Sequence, residues 1–337
     1  MGRNRESSSF RYNAGAVKWQ LQLQGRLKPQ HLLLSLLIVF AAGILVGRIA
    51  GLDAYGIFRY RYRISVHLEE EEEEDWAAAS SSCLRMVRRN PLSFLHPAAA
   101  LLQHDMRDDE LFCRALAVPS AEQVPLKRAL PKIAFLFLAN DSLPLLPLWE
   151  KFFSGHNGFY SIYVHSIRPH FSNLNSSSVF YGRAIRSRKV DWGGISMVDA
   201  ERRLVGNALL DFSNEHFILL SETCIPLYNF STVYNYLISS GRSHVESYDN
   251  PGHRSRGRYN KLMAPEITLF KWRKGSQWFD LQRQLALDFI ADNKYYSVFK
   301  RLCKPTCYPD EHYLPTLLNI FERGSLNSNT SITWVDW

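Results

Sequence analysis

The longest apolar stretch of the chain lies near its N-terminus. Residues 32–47 contain no charged side chain, and the apolar character resumes at 49–52 after Arg48. A helix over residues 32–52 would cross roughly 30 Å of hydrocarbon, with Arg48 near one end and able to reach the headgroups. The alternatives are a cleavable signal peptide and a buried core helix. The long polar N-terminal region argues against the first, and the lack of a polar stripe argues against the second. The pattern predicts one transmembrane span.

The charges on the two sides of this span predict its orientation. Residues 1–31 carry six basic side chains and only one acidic side chain, Glu6. Basic residues also follow the span, so the two sides differ less in positive charge. The positive-inside rule still favours a cytosolic N-terminus. We therefore expect residues 1–31 to form a cytosolic tail and the rest of the chain to lie in the secretory lumen. Four glycosylation sequons are compatible with this placement, although such motifs also arise by chance. They begin at Asn140, Asn175, Asn229 and Asn329.

Residues 53–130 have the composition of a spacer. Residues 69–75 are a run of seven acidic side chains that repel one another, and residues 77–82 are low in complexity. We interpret residues 53–130 as a lumenal stem that holds a domain away from the membrane. One part of it, Pro97–Val118, carries apolar residues at helical spacing and could dock onto that domain.

From residue 131 the pattern changes to short apolar strands that alternate with helices. Lys132–Ala139 is a continuous apolar run bounded by turn residues, as expected of a buried parallel strand. Further elements follow in the same alternation: a helix at 145–153, a strand at 160–164, a helix at 198–211 and a strand at 216–221. Residues 131–337 are therefore predicted to form an open α/β sheet with helices on both faces.

In such sheets, ligands bind beyond the carboxyl ends of the strands. Seven polar residues stand at these ends: Asn140, Asp141, His165, Ser166, Ser221, Glu222 and Thr223. The chain then turns polar, basic and aromatic from Gly241 to Arg273, which predicts an active-site loop. Helical periodicity resumes over Gln277–Ile290.

Cysteines, a proline and adjacent carboxylates occur together in the stretch Cys303–Tyr313. Cys303 and Cys307 are the best candidates for a disulfide, free thiols being the alternative, and the five cysteines of the chain leave at least one unpaired. A zinc site would need further ligands at regular spacing. Asp310 is well placed to cap the helix that follows. Glu311, presented at the same helix N-terminus, suits a fixed base.

Composition excludes some classes of function. The 337 residues are 46% apolar, enough for one large domain or two ordinary ones. The net charge is +8, but the positive charge is spread out and no zinc-finger or RNA-binding signature accompanies it, so we predict no nucleic-acid partner. The chain has no Gly-rich phosphate loop, no Gly-x-Ser-x-Gly elbow and no His-Glu-x-x-His motif. The strand end Leu220–Cys224 also lacks the Asp-x-Asp pair with which many sugar-nucleotide enzymes hold a divalent cation.

Several motifs within residues 131–337 occur in a distinctive order. They include Tyr160–Ser166, Val198–Leu204, Leu219–Leu227, Trp272–Phe279, Asp310–Tyr313 and Thr333–Trp337. As an ordered set, these motifs resemble the plant branch of the core-2/I-branching β-1,6-N-acetylglucosaminyltransferase family. The resemblance does not cover the stem.

The resemblance implies a type II Golgi membrane enzyme with a GT-A-like fold. Such an enzyme moves a sugar, with N-acetylglucosamine as the candidate, from a UDP-sugar to a hydroxyl of a glycan acceptor, with inversion and without a metal or other cofactor. The family's catalytic base matches Glu311, and its acceptor-stacking tryptophan matches Trp334. Its acceptor-binding region matches four further residues: Glu246, Arg254, Arg256 and Arg258. Its nucleotide-binding end matches Ala139, Asn140, Asp141, His165 and Trp192, with His165 standing where the family has an aspartate.

The family normally continues beyond the Thr333–Trp337 motif with basic side chains that neutralise the departing diphosphate. This sequence stops at Trp337, so we expect that role to pass to other cations or to be lost. The candidates are Arg254, Arg256, Arg258 and Arg273. Two other interpretations stay open. One is a shortened, catalytically inactive relative that binds a glycan or a protein in the lumen, and the other is a membrane-tethered adhesion or scaffold domain.

Overall fold

A computed structural model describes the C-terminal two thirds of the chain. The described residues are Leu102, 104–118, 130–140, 142–166, 174–304 and 306–336. No helix within these residues is long and apolar enough to cross a bilayer. The predicted transmembrane span at 32–52 and most of the predicted stem lie outside the described residues.

The strands form one mixed sheet. Strand β1 (Lys132–Ala139) pairs in parallel with β2 (Tyr160–Ser166) on one side and with β3 (Asn214–Ser221) on the other. Strand β4 (Asp280–Gln282) pairs antiparallel with β3, which gives the order β2-β1-β3-β4. Because β1 is central and covered on both faces, it is an unbroken apolar run and does not alternate with polar residues.

The helices of the described residues lie before, between and after these strands. They are α1 (Asp108–Ala117), α2 (Leu146–Phe153), α3 (Ile195–Leu209), α4 (Phe230–Ser240), α5 (Arg283–Ala291), α6 (Lys294–Leu302) and α7 (Pro309–Ile320). Short 3-10 helices occupy Arg256–Arg258, Lys261–Met263 and Arg323–Leu326.

Two hydrophobic cores lie on opposite faces of the sheet. Successive residues of a strand point to opposite faces. Ala134 and Leu136 of β1 accordingly join the core that contains α3, α5 and α7. Phe135 and Phe137 join the other core, which contains α2 and α4. This arrangement confirms the predicted α/β sheet with helices on both faces, and it fits a GT-A-like fold.

The helix predicted over Gln277–Ile290 is wrong in its first part. Residues 280–282 form strand β4, and α5 begins only at Arg283. The side chain of Gln282 caps this helix by accepting a hydrogen bond from the Gln284 N–H at 3.2 Å. Phe279 and Leu281 are both buried. Pairing with β3 at the edge of the sheet therefore overrides the apparent helical periodicity of this segment.

Helix α1 falls within the range predicted as stem, and it packs on α3. Its Leu111 and Ala115 are buried. The Asp108 carboxylate accepts two hydrogen bonds from Arg203, at 2.8 and 2.5 Å. Burial raises the pKa of Asp108, but hydrogen bonding and attraction to Arg203 outweigh burial, so the pKa lies below its usual value. Residues 108–117 are thus packed against the α/β body.

Candidate active site

The central residue of the candidate site, Glu311, lies in the first turn of α7. Pro309 starts this helix, where its missing N–H costs nothing and its fixed φ is already helical. Tyr308, just before it, has a φ of 55°. The disulfide Cys303–Cys307, with Cα atoms 5.3 Å apart, closes the preceding loop. The side chain of Glu311 is 20% exposed, so a ligand can reach it from solvent.

Two cations contact one oxygen of Glu311. Arg258 Nη1 lies 2.5 Å and Lys274 Nζ lies 3.1 Å from Oε2. Within the described residues, Oε1 makes no hydrogen bond or ion pair. Charge-assisted contacts of this kind are short and directional, so they fix the carboxylate plane. The side chain is therefore held through one oxygen, and the other is left for a ligand.

Aromatic rings extend this cluster. The guanidinium carbon of Arg258 lies 4.2 Å from the centre of the Tyr308 ring. Tyr308 in turn meets Trp192 edge to face, with ring centres 5.3 Å apart. Trp192 is 77% exposed. A continuous series of contacts thus runs from a solvent-facing indole to the Glu311 carboxylate.

A close backbone contact positions Lys274. The neighbouring residue Gly275 donates its N–H to the backbone carbonyl of Glu311 at 2.9 Å. A Cβ atom at Gly275 would lie 2.0 Å from the carbonyl oxygen of Glu246. Only glycine permits this approach to Glu246. The hydrogen bond to Glu311 holds the loop that carries Lys274 against the first turn of α7.

The structure contradicts the expectation that Asp310 caps α7. Tyr308 is the N-cap residue and makes no side-chain capping bond. Asp310 is instead buried, and its Oδ1 has no hydrogen-bond partner among the described residues. Burial raises the pKa of this carboxyl to about 6. Glu201 of α3 is also buried, and its pKa is raised well above the usual value by burial and by the charge of Asp310. Asp310 and Glu201 are thus two buried carboxyl groups that influence each other electrostatically.

His312, on the other side of Glu311, is a packed and neutral imidazole. Burial lowers its pKa to about 4. Its Nδ1 donates to the backbone carbonyl of Arg273 at 2.8 Å, and its ring stacks on Trp272 with centres 4.4 Å apart. These contacts support the first turn of α7, and they leave Glu311 as the accessible titratable group of this turn.

The residues predicted at the nucleotide end have different environments. Ala139 is buried and Asn140 is exposed at the carboxyl end of β1. His165, at the end of β2, is 1% exposed and accepts a hydrogen bond from the Arg188 N–H at 3.2 Å. Burial lowers the pKa of His165 to about 4, so the ring is neutral. Asp141 lies outside the described residues.

The residues predicted to bind the acceptor are only partly brought together. Arg258 contacts Glu311, whereas Arg256 forms two hydrogen bonds with Asp249 at 2.7 and 2.6 Å. Arg254 is exposed and Glu246 is partly buried. Trp334 is 77% exposed and, within the described residues, makes no ring contact with the Glu311 cluster. The C-terminal segment before it is bonded to the Glu246 loop, where the Ser247 N–H donates to Asn329 Oδ1 at 2.7 Å.

Two members of the cluster were not predicted as site residues. Lys274 lies in the Trp272–Phe279 motif and Tyr308 lies in the Cys303–Tyr313 stretch, so their neighbourhoods were predicted but their roles were not. Nothing in the local pattern shows that a lysine 37 residues before Glu311 contacts its carboxylate. Tyr308 lies just before the predicted Asp310–Tyr313 motif and could have been found from that position alone.

The described residues contain no cluster of three or more Asp, Glu, His or Cys side chains suited to a metal ion. Cys224 is a free thiol, as the odd number of cysteines requires of at least one.

Comparison with known proteins identifies related sequences. Residues 133–337 match the family described as Core-2/I-Branching enzyme. The chain is also 39% identical over 231 residues to the protein named Glycosyltransferase BC10 from Oryza sativa subsp. japonica. That alignment covers 60% of this chain and 57% of the rice protein, so the chain spans little more than half the length of this relative.

Proposed function

Because this chain belongs to the Core-2/I-Branching enzyme family, we propose that it is an inverting glycosyltransferase with Glu311 as its general base. The donor is a UDP-sugar, with UDP-N-acetylglucosamine as the first candidate, and the acceptor is a hydroxyl group of a glycan. The observation that supports this proposal most is the Glu311 carboxylate, which is held through Oε2 by two cations while Oε1 makes no hydrogen bond or ion pair within the described residues.

The proposed reaction uses Glu311 to remove one proton. As the acceptor oxygen forms a bond to the anomeric carbon, Oε1 takes the proton of that hydroxyl group. The bond between the anomeric carbon and the phosphate oxygen breaks on the opposite face, and its electron pair leaves with UDP. Inversion follows from this in-line geometry. Orientation of the two substrates supplies much of the remaining rate enhancement.

We expect side-chain cations to neutralise the departing diphosphate. Arg256 is paired with Asp249 and Arg258 with Glu311, whereas Arg254 is exposed and forms no ion pair within the described residues. Arg273 also forms no ion pair within the described residues, and its Nη1 donates to the carbonyl oxygens of Phe270 and Trp272 at 2.7 and 2.9 Å. Arg254 and Arg273 are therefore our candidates for this role. We further propose that the reaction needs no metal ion, so EDTA should leave turnover unchanged. Turnover that EDTA abolishes and Mn²⁺ restores would refute it.

Exposed aromatic and polar groups provide candidate substrate contacts. Trp334 has the exposure that stacking on a sugar face requires, and Glu246 could bind acceptor hydroxyl groups. Asn140 at the end of β1 and exposed Trp192 are candidates for the donor end. If Trp334 stacks on the acceptor, Trp334→Ala raises the KM for the acceptor and leaves the KM for the donor unchanged. If Trp334→Ala and wild type have the same KM for the acceptor, Trp334 does not bind the acceptor.

The product of the reaction tests the proposed chemistry. Full-length protein is incubated with a panel of UDP-sugars and glycan acceptors, and the new linkage is examined by nuclear magnetic resonance. An α-linked donor should give a β-linked product. Retention of the α configuration would refute the single-step mechanism, and the absence of transfer across the panel would favour an inactive, glycan-binding relative.

We also propose that the protein is a single-pass type II Golgi membrane protein, anchored by residues 32–52, with residues 53–130 as stem and 131–337 as the lumenal enzyme domain. This rests on the charge and hydropathy pattern of the sequence. In sealed Golgi vesicles, a C-terminal tag should resist protease until detergent is added. Cleavage of that tag without detergent would contradict this topology.

A further inference from the structure

Tyr308 links the disulfide loop to the residues around Glu311. It follows Cys307 directly and precedes the first residue of α7. Its ring makes contacts with Arg258 and Trp192. Its hydroxyl group forms no hydrogen bond with any described residue. The packing of this residue therefore depends on the ring and not on the hydroxyl group.

A glycine makes room for this ring. Gly193 has a φ of +70°, and a Cβ atom there would lie 2.9 Å from Tyr308 Cε1 and 3.0 Å from Cδ1. Real Cβ atoms do not approach carbon this closely, so any larger residue would displace the ring. The turn at Gly193 thus lies directly against the Tyr308 ring.

Arg258 depends on two partners to hold its position. Its guanidinium group contacts the Tyr308 ring at 4.2 Å and Glu311 Oε2 at 2.5 Å. Its side chain is only 16% exposed. A cation over an aromatic face is stabilised by the ring quadrupole, and the planar guanidinium group is suited to this packing.

We propose that Tyr308 is a positioning residue that holds Arg258 against Oε2 of Glu311 and so fixes the orientation of the carboxylate for proton transfer. This inference rests on the proposed function of Glu311. It assigns to Tyr308 no contact with substrate and no proton transfer of its own.

Two substitutions of Tyr308, one that removes the ring and one that removes only the hydroxyl group, separate a positioning role from direct participation in catalysis. Tyr308→Ala should lower kcat about tenfold, the size of effect expected when a partly desolvated cation–π contact is lost. The KM values for donor and acceptor should stay within about twofold, because the ring does not bind substrate. Tyr308→Phe should restore kcat to near the wild-type value. A raised KM with unchanged kcat in Tyr308→Ala would overturn the proposal, as would a Tyr308→Phe variant as impaired as Tyr308→Ala.

A double-mutant cycle tests whether Tyr308 acts through Arg258. In an Arg258→Met background there is no guanidinium group to hold, so adding Tyr308→Ala should lower kcat by less than about twofold further. If the two losses multiply, Tyr308 acts by another route and the inference is wrong.

Gly193 offers an independent way to move the ring without changing it. Gly193→Ala should lower kcat in the same way as Tyr308→Ala. Gly182→Ala is a matched control, because Gly182 has a φ of +69° and no atom within 4 Å of the added Cβ. Both variants carry the same backbone strain, and only the first pushes on Tyr308. Equal kcat values in the two variants would contradict the role assigned to the ring.

A chemical readout does not depend on turnover. The full-length protein is treated with phenylglyoxal, which modifies arginine side chains. Mass spectrometry then measures the rate of modification of Arg258 relative to that of Arg254. The relative rate should rise severalfold in Tyr308→Ala and not in Tyr308→Phe. If it stays constant in Tyr308→Ala, Tyr308 does not hold Arg258. If it rises while Glu311→Gln has wild-type turnover, Tyr308 does hold Arg258 and the proposed function fails instead.

Discussion

The candidate site depends at the residue scale on contacts that join distant parts of the chain. The sequence predicted Glu311 because a carboxylate pair follows a proline at a helix start. It could not predict that Arg258, 53 residues earlier, and Lys274 would contact one oxygen of that carboxylate. Next to Lys274, Gly275 lies close to Glu246 and donates its N–H to the Glu311 carbonyl, and a local pattern does not reveal these contacts.

Lys274→Met should lower kcat about threefold to tenfold, a modest effect because the Lys274 side chain is 28% exposed and solvent screens part of its charge. Arg258 would still hold Oε2, so activity should not be abolished. Lys261→Met, at an exposed lysine of the same loop region, is the control and should behave like wild type. Steady-state kinetics of both variants make the comparison. Equal kcat values would show that the Lys274 ion pair does not support catalysis.

At the scale of the elements, the predictions succeeded where burial alone decides which residues an element can contain. Strands β1 and β3 are buried on both faces, so their apolar runs were unambiguous. Strand β4 was mistaken for helix because it has three residues, and its strand character comes from pairing with β3. The packing of α1 on α3 depends on the pair of Asp108 with Arg203, 95 residues apart in the chain.

Asp108→Asn should lower the free energy of unfolding by about 1–3 kcal/mol, because it removes the charge from two hydrogen bonds to an arginine that is 4% exposed. Asp109→Asn is the matched control. Asp109 pairs with Arg107, but the side chains of this pair are 61% and 78% exposed, so its loss should cost less than about 0.5 kcal/mol. Urea unfolding of the two variants measures the difference. Equal destabilisation would show that the Asp108–Arg203 pair does not secure α1.

The edge of the sheet should make stability depend on pH. Buried Asp280 lies 3.0 Å from Nδ1 of His216 and 2.9 Å from Nδ1 of His244. Burial lowers the pKa of His216, but Asp280 outweighs it, so the pKa of His216 is raised. Burial raises the pKa of Asp280, but the histidines outweigh it, so the pKa of Asp280 is lowered.

The His216 contribution is present below its unfolded pKa of 6.5 and is lost as pH rises through the raised value. The Asp280 contribution is present above its unfolded pKa of 3.8 and is lost as pH falls through the lowered value. Asp280→Asn should therefore lower the free energy of unfolding most between pH 3.8 and pH 6.5. The loss should be about 3 kcal/mol, as expected for a broken buried pair. Urea unfolding of this variant and wild type at several pH values tests this. A destabilisation that stays the same up to pH 9 would contradict the ionic account.

The molecule as a whole combines a predicted scaffold with a site that only its tertiary structure assembles. The alternation of apolar runs and helices predicted an α/β sheet with helices on both faces. The ordered motifs predicted the family, to which residues 133–337 belong. The relative placement of the loops was not predictable, because it depends on contacts such as Ser247 with Asn329, 82 residues apart. The membrane anchor and the stem remain predictions from charge and hydropathy.

The most direct test of the account is the turnover of Glu311→Gln in the full-length protein, with UDP affinity measured on the same preparation. Glutamine keeps the size of the side chain but cannot accept the proton, so kcat should fall by about 10²–10⁴ while UDP binds as in wild type. Glu322→Gln, at an exposed residue outside the site, should keep wild-type turnover. If Glu311→Gln transfers sugar within a few-fold of the wild-type rate, Glu311 is not the base and the central claim is wrong.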